Sequence, residues 1–273
     1  MKGRRLVPAP FLFSPIMITS PTNEKIKFAN SLARKKERAA AKQFLIEGTR
    51  LVQEAVKAGT RPVLGFYERA AFNSDPRLRA IVVAWEREKR EVYEVTAQVM
   101  RALSDTETPQ GIAAVFPLPN MQAPVPPRLT LVLDRVRDPG NVGTMLRTAW
   151  AAKVDLVLLA PETADAFNPK VVRAAMGAHF YVPLLAASWD EIAAHLQGVP
   201  RIYLSDAASA LSFTRADWSF PCALIVGGEA EGVSDDARTL ATAALSIPMP
   251  GNAESLNAAI AAGILLFEAV RKP

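Results

Sequence analysis

The chain has very little of what would tie it to several common functional classes. It holds one cysteine, Cys222, in 273 residues, so no disulfide can form within it. That usage suits a reducing cytoplasm. Two histidines, His179 and His195, are too few and too isolated to suggest a metal centre. No apolar run reaches the roughly 18–20 residues needed to span a bilayer, so no membrane partner is expected. Neither a G-x-G-x-x-G loop nor a P-loop occurs, which removes the usual dinucleotide and nucleoside-triphosphate folds. No period of 20–50 residues repeats, so a solenoid is excluded. Tryptophan is scarce and scattered, with four residues that form no stacking platform.

Charge is present but unevenly divided. Met1 to Pro117 carries 20 Lys/Arg against 12 Asp/Glu, a surplus of +8, and Leu118 to Pro273 has 12 against 15, or −3. Such a split suggests that one half meets a polyanion; a solvated basic helix face is the alternative. Met1–Arg5 is basic and Leu6–Ile18 mostly apolar, a loose imitation of a secretory signal. Prolines 8, 10 and 15 interrupt it, and no small-x-small site follows. Residues 1–19 are therefore expected to be a disordered leader, and Met17 is as good a start as Met1.

Residues 20–117 read as a small α/β unit. Asn23–Lys42 has helical spacing with a basic face of Lys25, Lys27, Arg34, Lys35, Lys36 and Arg38. A strand at Phe44–Glu47, a helix at Thr49–Ala58, a strand at Val63–Tyr67 and a helix at Leu78–Arg90 follow, closed by strands at Val92–Val95 and Gly111–Phe116. Five prolines in the eleven residues from Pro117 to Pro127 mark a semi-rigid linker, set at 118–128. From Leu129 to Pro273, apolar strands at Leu129–Leu133, Leu156–Leu159, Tyr181–Leu185, Arg201–Leu204, Ala223–Val226 and Leu245–Ile247 alternate with helices. The expected class is α/β, with a parallel sheet covered on both faces.

Open α/β sheets bind ligands beyond the carboxyl ends of their strands, which directs attention to three loops. The first is Asp134-Arg-Val-Arg-Asp-Pro-Gly-Asn141-Val-Gly-Thr-Met-Leu-Arg147. Asn141 reads as a helix N-cap after the Pro139-Gly140 turn. Arg147 lies about 9 Å further along the axis, and helical side chains lean back toward the N-terminus. Its guanidinium is therefore expected near Asn141, making an anion site with the free N–H groups; a solvated surface arginine is the alternative. The second loop, Ile225-Val-Gly227-Gly228-Glu229-Ala-Glu231-Gly232, offers glycines that let a ligand approach the backbone, or a plain turn. The third runs from Ile247 through Met249 to Ser255-Leu256-Asn257 and an Ala/Gly-rich helix up to Gly263. Ser255 reads as the N-cap, and small residues on the helix allow tight packing. Asn257 is out of place there, since a helix gains little from Asn in its first turns.

Together the three loops resemble the motifs of the SpoU (TrmH-type) branch of the SPOUT RNA methyltransferases: Asn141–Arg147, Gly227–Gly232 and Ile247–Asn257, in that order. The likeness covers Leu129 to the C-terminus. After Asn257 the chain reads Ala-Ala-Ile-Ala where relatives often carry a β-branched residue or Ser, a change in packing more than chemistry. The segment 20–117 is similar to the family's substrate-binding domain, itself like ribosomal protein L30e, through Phe44-Leu-Ile-Glu-Gly48 and Ser104-Asp-Thr-Glu-Thr-Pro-Gln-Gly111. The resemblance implies a C-terminal domain with a deep trefoil knot, S-adenosylmethionine as methyl donor, and a ribose 2′-hydroxyl as acceptor. It also implies a homodimer with its site at the subunit interface. By motif position Gly227, Ile247 and Leu256 would bind the donor. Arg147 would take the central role, either as the base or, as preferred here because Arg is hard to deprotonate, as phosphate anchor and stabiliser of the developing alkoxide. Asn141 and Glu229 would orient Arg147 or the ribose, and Ser255 and Asn257 would complete the pocket, with no metal required. Ribosomal RNA is the expected substrate, ahead of transfer RNA. A noncatalytic RNA-binding or ribosome assembly protein is the competing reading. His179, His195 and Cys222 are expected to be structural.

Overall fold

A computed structural model describes residues 17–229, 232–251 and 253–271. The elements up to residue 117 are β1 (Met17–Ile18), α1 (Glu24–Ser31), α2 (Lys35–Ala41), β2 (Gln43–Glu47), α3 (Thr49–Lys57), β3 (Leu64–Glu68), α4 (Arg69–Ser74), α5 (Pro76–Arg87), β4 (Val92–Val95), α6 (Ala97–Leu103) and β5 (Ile112–Pro117). They form a five-stranded mixed sheet in the order β1-β4-β3-β5-β2. Most of the leader expected over 1–19 lies outside the described residues. Its last part does not: Met17 and Ile18 pair in parallel with Glu94 and Val95, and Ile18 is buried.

The helix expected over Asn23–Lys42 is two helices. Asn23 caps the first, accepting from Lys25 N at 2.9 Å. The chain then turns at Leu32–Arg34, because the Arg38 guanidinium folds back and donates to the carbonyls of Leu32 (2.7 Å) and Ala33 (2.6 Å). Those carbonyls are thereby satisfied without helical continuation. Arg38 therefore leaves the basic face to which the sequence assigned it. It is only 4% exposed. Lys27, Arg34, Lys35 and Lys36 remain exposed, and Lys25 pairs with Glu91.

Beyond residue 128 come β6 (Leu129–Asp134), α7 (Pro139–Ala151), β7 (Leu156–Leu159), α8 (Pro169–Ala175), β8 (Leu184–Ala186), α9 (Trp189–His195), β9 (Arg201–Ser205), β10 (Cys222–Gly227), α10 (Asp235–Leu240), β11 (Ala243–Leu245) and α11 (Ala258–Ala269). The six strands pair entirely in parallel, in the order β11-β9-β10-β6-β7-β8. Alternation within β6 shows why both faces are covered. Leu129, Leu131 and Leu133 enter the core under α7 and α11, while Val132 enters the opposite core with Ile192 of α9 and Ala237 of α10. Burial on both faces explains the near-continuous apolar strands. Sequential strands run outward from β6 on one side, and β10 pairs with it on the other. That reversal places a crevice beyond the carboxyl ends of β6 and β10, where Asp134 and Gly227 stand in register.

The two sheets share a buried boundary. Phe44 and Phe116 pack with Val172 and Phe180, and the Phe44 ring meets Phe167 edge-on at 5.2 Å. Arg38 completes its bonding there with an ion pair to Asp165. Asp165 is itself held by the Phe167 N–H at 3.0 Å. His179 sits beside them, fully buried, its Nε2 2.6 Å from the Ala166 carbonyl. Burial pushes its pKa down to about 4, against the smaller upward pull of Ala166 and Asp165. The structural expectation for His179 fits this environment.

Candidate active site

The three loops meet at one point, but through different capping residues from those expected. Asn141 does not cap α7. Asp138 does, accepting from Asn141 N at 2.7 Å, with Pro139 in the first helical turn. Ser255 does not cap α11 either. Asn257 does, its Oδ1 accepting from Ala259 N (3.0 Å) and Ile260 N (3.2 Å). Asn257 is thus no anomaly, because Asn is among the strongest N-cap residues. Periodicity placed both helix starts wrongly, since the capping position depends on backbone angles that spacing does not reveal.

Capping leaves the Asn257 amide group free to act elsewhere. Its Nδ2 donates to Glu229 Oε1 at 2.6 Å and to Asn141 Oδ1 at 3.0 Å. Asn141 Nδ2 also donates to Glu229 Oε1, at 2.9 Å, and Ala258 N approaches the same oxygen at 3.4 Å. One residue from each loop therefore joins a closed triangle of hydrogen bonds. All three side chains are solvent-accessible, so the junction is available to a ligand.

Arg147 is not part of it. It lies on the exposed side of α7 and makes no side-chain hydrogen bond or ion pair among the described residues. Six residues turn a helix by about 240° relative to Asn141, so a backward lean does not bring the two to the same face.

A pocket opens next to the triangle, beyond the ends of β9, β10 and β11. Gly227, Ile247, Ser255 and Leu256 line it, as does Glu229. The Ile247 and Leu256 side chains line a surface suited to a planar heterocycle and a ribose. The glycines have a different purpose from the one expected. A Cβ on Gly227 would meet the Gly232 carbonyl carbon at 2.6 Å, and one on Gly228 the Arg135 carbonyl oxygen at 2.3 Å. Chain-against-chain packing, and not ligand approach alone, requires them. Gly143 is similar, with its Cβ position 2.4 Å from that of Ala174 on α8.

Residues 128–267 match the model of the SpoU rRNA Methylase family, and residues 23–114 match that of the MRM3-like substrate binding domain. The chain belongs to the SpoU rRNA methylase family. A relative named 23S rRNA (guanosine(2553)-2′-O)-methyltransferase, from Bacillus subtilis, is 37% identical over 254 residues, covering 92% of this chain and 97% of the relative. The human mitochondrial rRNA methyltransferase 3 is 30% identical, over 84% of this chain and 68% of its own. The fold is similar to that of an AdoMet-bound rRNA methyltransferase from Sinorhizobium meliloti (TM-score 0.81, 31% identity, 93% of this chain and 97% of the other). It is also similar to the SpoU methyltransferase AviRb from Streptomyces viridochromogenes in complex with AdoMet (TM-score 0.79, 28% identity, 91% and 97%).

Within this SpoU domain, the pocket also has walls the sequence reading missed. Ser205 and Asp206 lie at and just beyond the end of β9, and Arg238 and Met249 also face the pocket. Asp206 accepts from Ala208 N at 2.9 Å and pairs with Arg238 at 3.2 Å. The Ala208 N–H holds its carboxyl below the usual range, opposed by burial and assisted by Arg238. The rule that ligands sit at strand carboxyl ends would have flagged Asp206, had β9 been weighed like β6 and β10. Cys222 is buried in β10 and burial pushes its thiol up to about 12, which removes it as a nucleophile. Among the described residues no helix is long and apolar enough to cross a membrane.

Proposed function

We propose that this protein transfers a methyl group from S-adenosylmethionine to a ribose 2′-hydroxyl of ribosomal RNA. The observation that carries the reading is the Asn141–Glu229–Asn257 triangle at the rim of the pocket. It unites a donor-sized cleft with an accessible polar cluster, in a chain whose other matched region is a substrate-binding domain. When bound, the donor supplies an electrophilic sulfonium methyl. Gly227, Ile247 and Leu256 hold it through backbone groups and apolar contact.

A ribose hydroxyl is a weak nucleophile, so catalysis rests on positioning it and stabilising the charge that develops on it. Arg147 carries a planar, forked donor set with no competing carboxylate among the described residues, which suits a phosphate oxygen next to the target ribose. Asn141 and Asn257 hold the junction in shape, and Ser255 closes the pocket wall. The exposed Lys27, Lys35 and Lys36 of the N-terminal unit add sequence-independent attraction to RNA.

The reading includes a homodimer through α11. Ile260 is 56% exposed and Phe267 52% exposed, seven residues apart on one face, with Gly263 between them. A second copy would cover this stripe and could offer its site to Arg147. The knotted C-terminal threading and the cytoplasmic location follow the family likeness and the single buried thiol.

Single-turnover methylation of unmodified ribosomal RNA, with donor titration alongside, tests the reading. Arg147→Ala is expected to lower transfer at least about 100-fold, an oxyanion-type loss, with donor affinity within about twofold, since Arg147 does not line the pocket. Arg147→Lys should fail nearly as badly. An active Arg147→Ala would move the catalytic assignment to another group, and wild-type protein that neither binds donor nor methylates RNA would reject the function.

A further inference from the structure

The reaction releases a proton, and the pocket offers few groups able to take it. A guanidinium carries only N–H donors and no acceptor atom, so Arg147 is poorly suited to take a proton. Asn141 and Asn257 are amides, and Ser255 is a hydroxyl, so none is a base near neutrality. Among the described residues, two carboxylates line the pocket, Asp206 and Glu229. Asp206 is committed on both oxygens, to Ala208 N and to Arg238.

Glu229 is held differently. All its hydrogen bonds among the described residues fall on one oxygen: Oε1 receives Asn141 Nδ2, Asn257 Nδ2 and Ala258 N at 2.9, 2.6 and 3.4 Å. Three donors saturate that oxygen and fix the plane of the carboxylate. Oε2 keeps its lone pairs, on an exposed side chain between the donor pocket and the face of α7. A structural tie would gain from using both oxygens; a base needs one oxygen anchored and one open.

We propose that Glu229 is the proton acceptor of the reaction, acting through Oε2. This rests on the methyltransferase reading above. As the O2′–CH₃ bond forms and the sulfonium C–S bond breaks, the electron pair of that C–S bond returns to sulfur and the hydroxyl proton passes from O2′ to Oε2. The sulfonium becomes a neutral thioether, and the carboxylate becomes a neutral carboxylic acid. One positive and one negative charge vanish together, so no net charge is created in a partly desolvated site. The large gap in basicity between a free alkoxide and a carboxylate is no obstacle. The oxygen that has begun to bond the methyl carbon resembles a protonated ether, which is far more acidic than a carboxylic acid, so the proton leaves late and downhill.

The isosteric variant separates this role from structure. Glu229→Gln can present its oxygen to the same three donors while an NH₂ group replaces Oε2. It is expected to keep the unfolding midpoint, the donor affinity and the RNA affinity of wild type, measured by calorimetry and filter binding. Transfer should fall at least about 100-fold, and the decline of the wild-type rate toward acid pH should be absent. Glu229→Ala should be equally slow but regain rate on addition of formate, whereas the Gln variant should not. A Gln variant within about threefold of wild type overturns the proposal. So does one that melts early or binds donor poorly, since Glu229 would then be only a strut. Wild-type protein that binds donor and RNA yet transfers nothing rejects the methyltransferase reading and this assignment together.

Discussion

Two polar clusters join distant parts of this chain, and they differ mainly in burial. At the domain boundary, Arg38, Asp165 and His179 sit among Phe44, Phe167 and Phe180, with Arg38 and His179 almost wholly out of water. At the pocket rim, Asn141, Glu229 and Asn257 make comparably short bonds in the open. A buried cluster must be satisfied from within, because an unmade bond there is not replaced by water. An exposed one can leave a group open for substrate, since water serves it in the meantime. The first cluster therefore governs stability and domain placement, and the second governs chemistry.

That contrast can be broken most severely from the buried side. Arg38→Ala would strand Asp165 and free the carbonyls of Leu32 and Ala33, and removing one partner of a buried pair costs about 3–5 kcal/mol. Chemical denaturation should show a loss of that order, with donor affinity unchanged at temperatures where the variant is folded. A loss below about 1 kcal/mol would mean that the boundary is wet, and the contrast would fail.

Titration of His179 gives a smaller effect. Its folded pKa, about 4, lies below the ordinary value of 6.5, so between these values the unfolded chain binds more protons than the folded one. The stability it contributes is present above the ordinary value and is lost as pH falls through this window, amounting to about 2 kcal/mol between pH 7 and pH 5. Denaturation midpoints of wild type and His179→Phe should converge as pH falls from 7 to 5. Parallel curves would show that His179 is solvated or already charged.

The smallest stability effect is expected at the rim. Asn257→Ala removes the cap of α11 and should cost only about 1 kcal/mol. Because it also releases Glu229 and Asn141, methyl transfer should fall far more than stability does. Equal losses in the two measurements would make the rim another structural cluster, and the comparison would lose its meaning.

Much of this was legible from residue order. The all-parallel C-terminal sheet followed from apolar strands alternating with helices, and the three loops from their places after those strands. Gly227, Ile247 and Leu256 were named beforehand and line one pocket. Other assignments failed where the outcome depended on residues far apart in the chain. Arg38 looked like one more charge on a basic helix until Asp165, 127 residues later, gave it a partner. Arg147 was expected beside Asn141, yet the Asn141 side chain bonds Glu229 and Asn257 instead. Asn257 looked misplaced until it was seen to cap a helix with its oxygen and bridge two loops with its nitrogen.

By itself, then, the sequence determined the alternation of strands and helices, three of the loops that end at the pocket, and which residue types are available there. Hydrophobic periodicity is local and carries that information directly. Only the tertiary structure decided which oxygen of Glu229 is occupied, which arginine is buried and which is exposed without a partner among the described residues, and that Gly228 is needed where two chain segments touch. Those outcomes depend on contacts between segments from 28 to 127 residues apart, and no local pattern encodes distances of that kind.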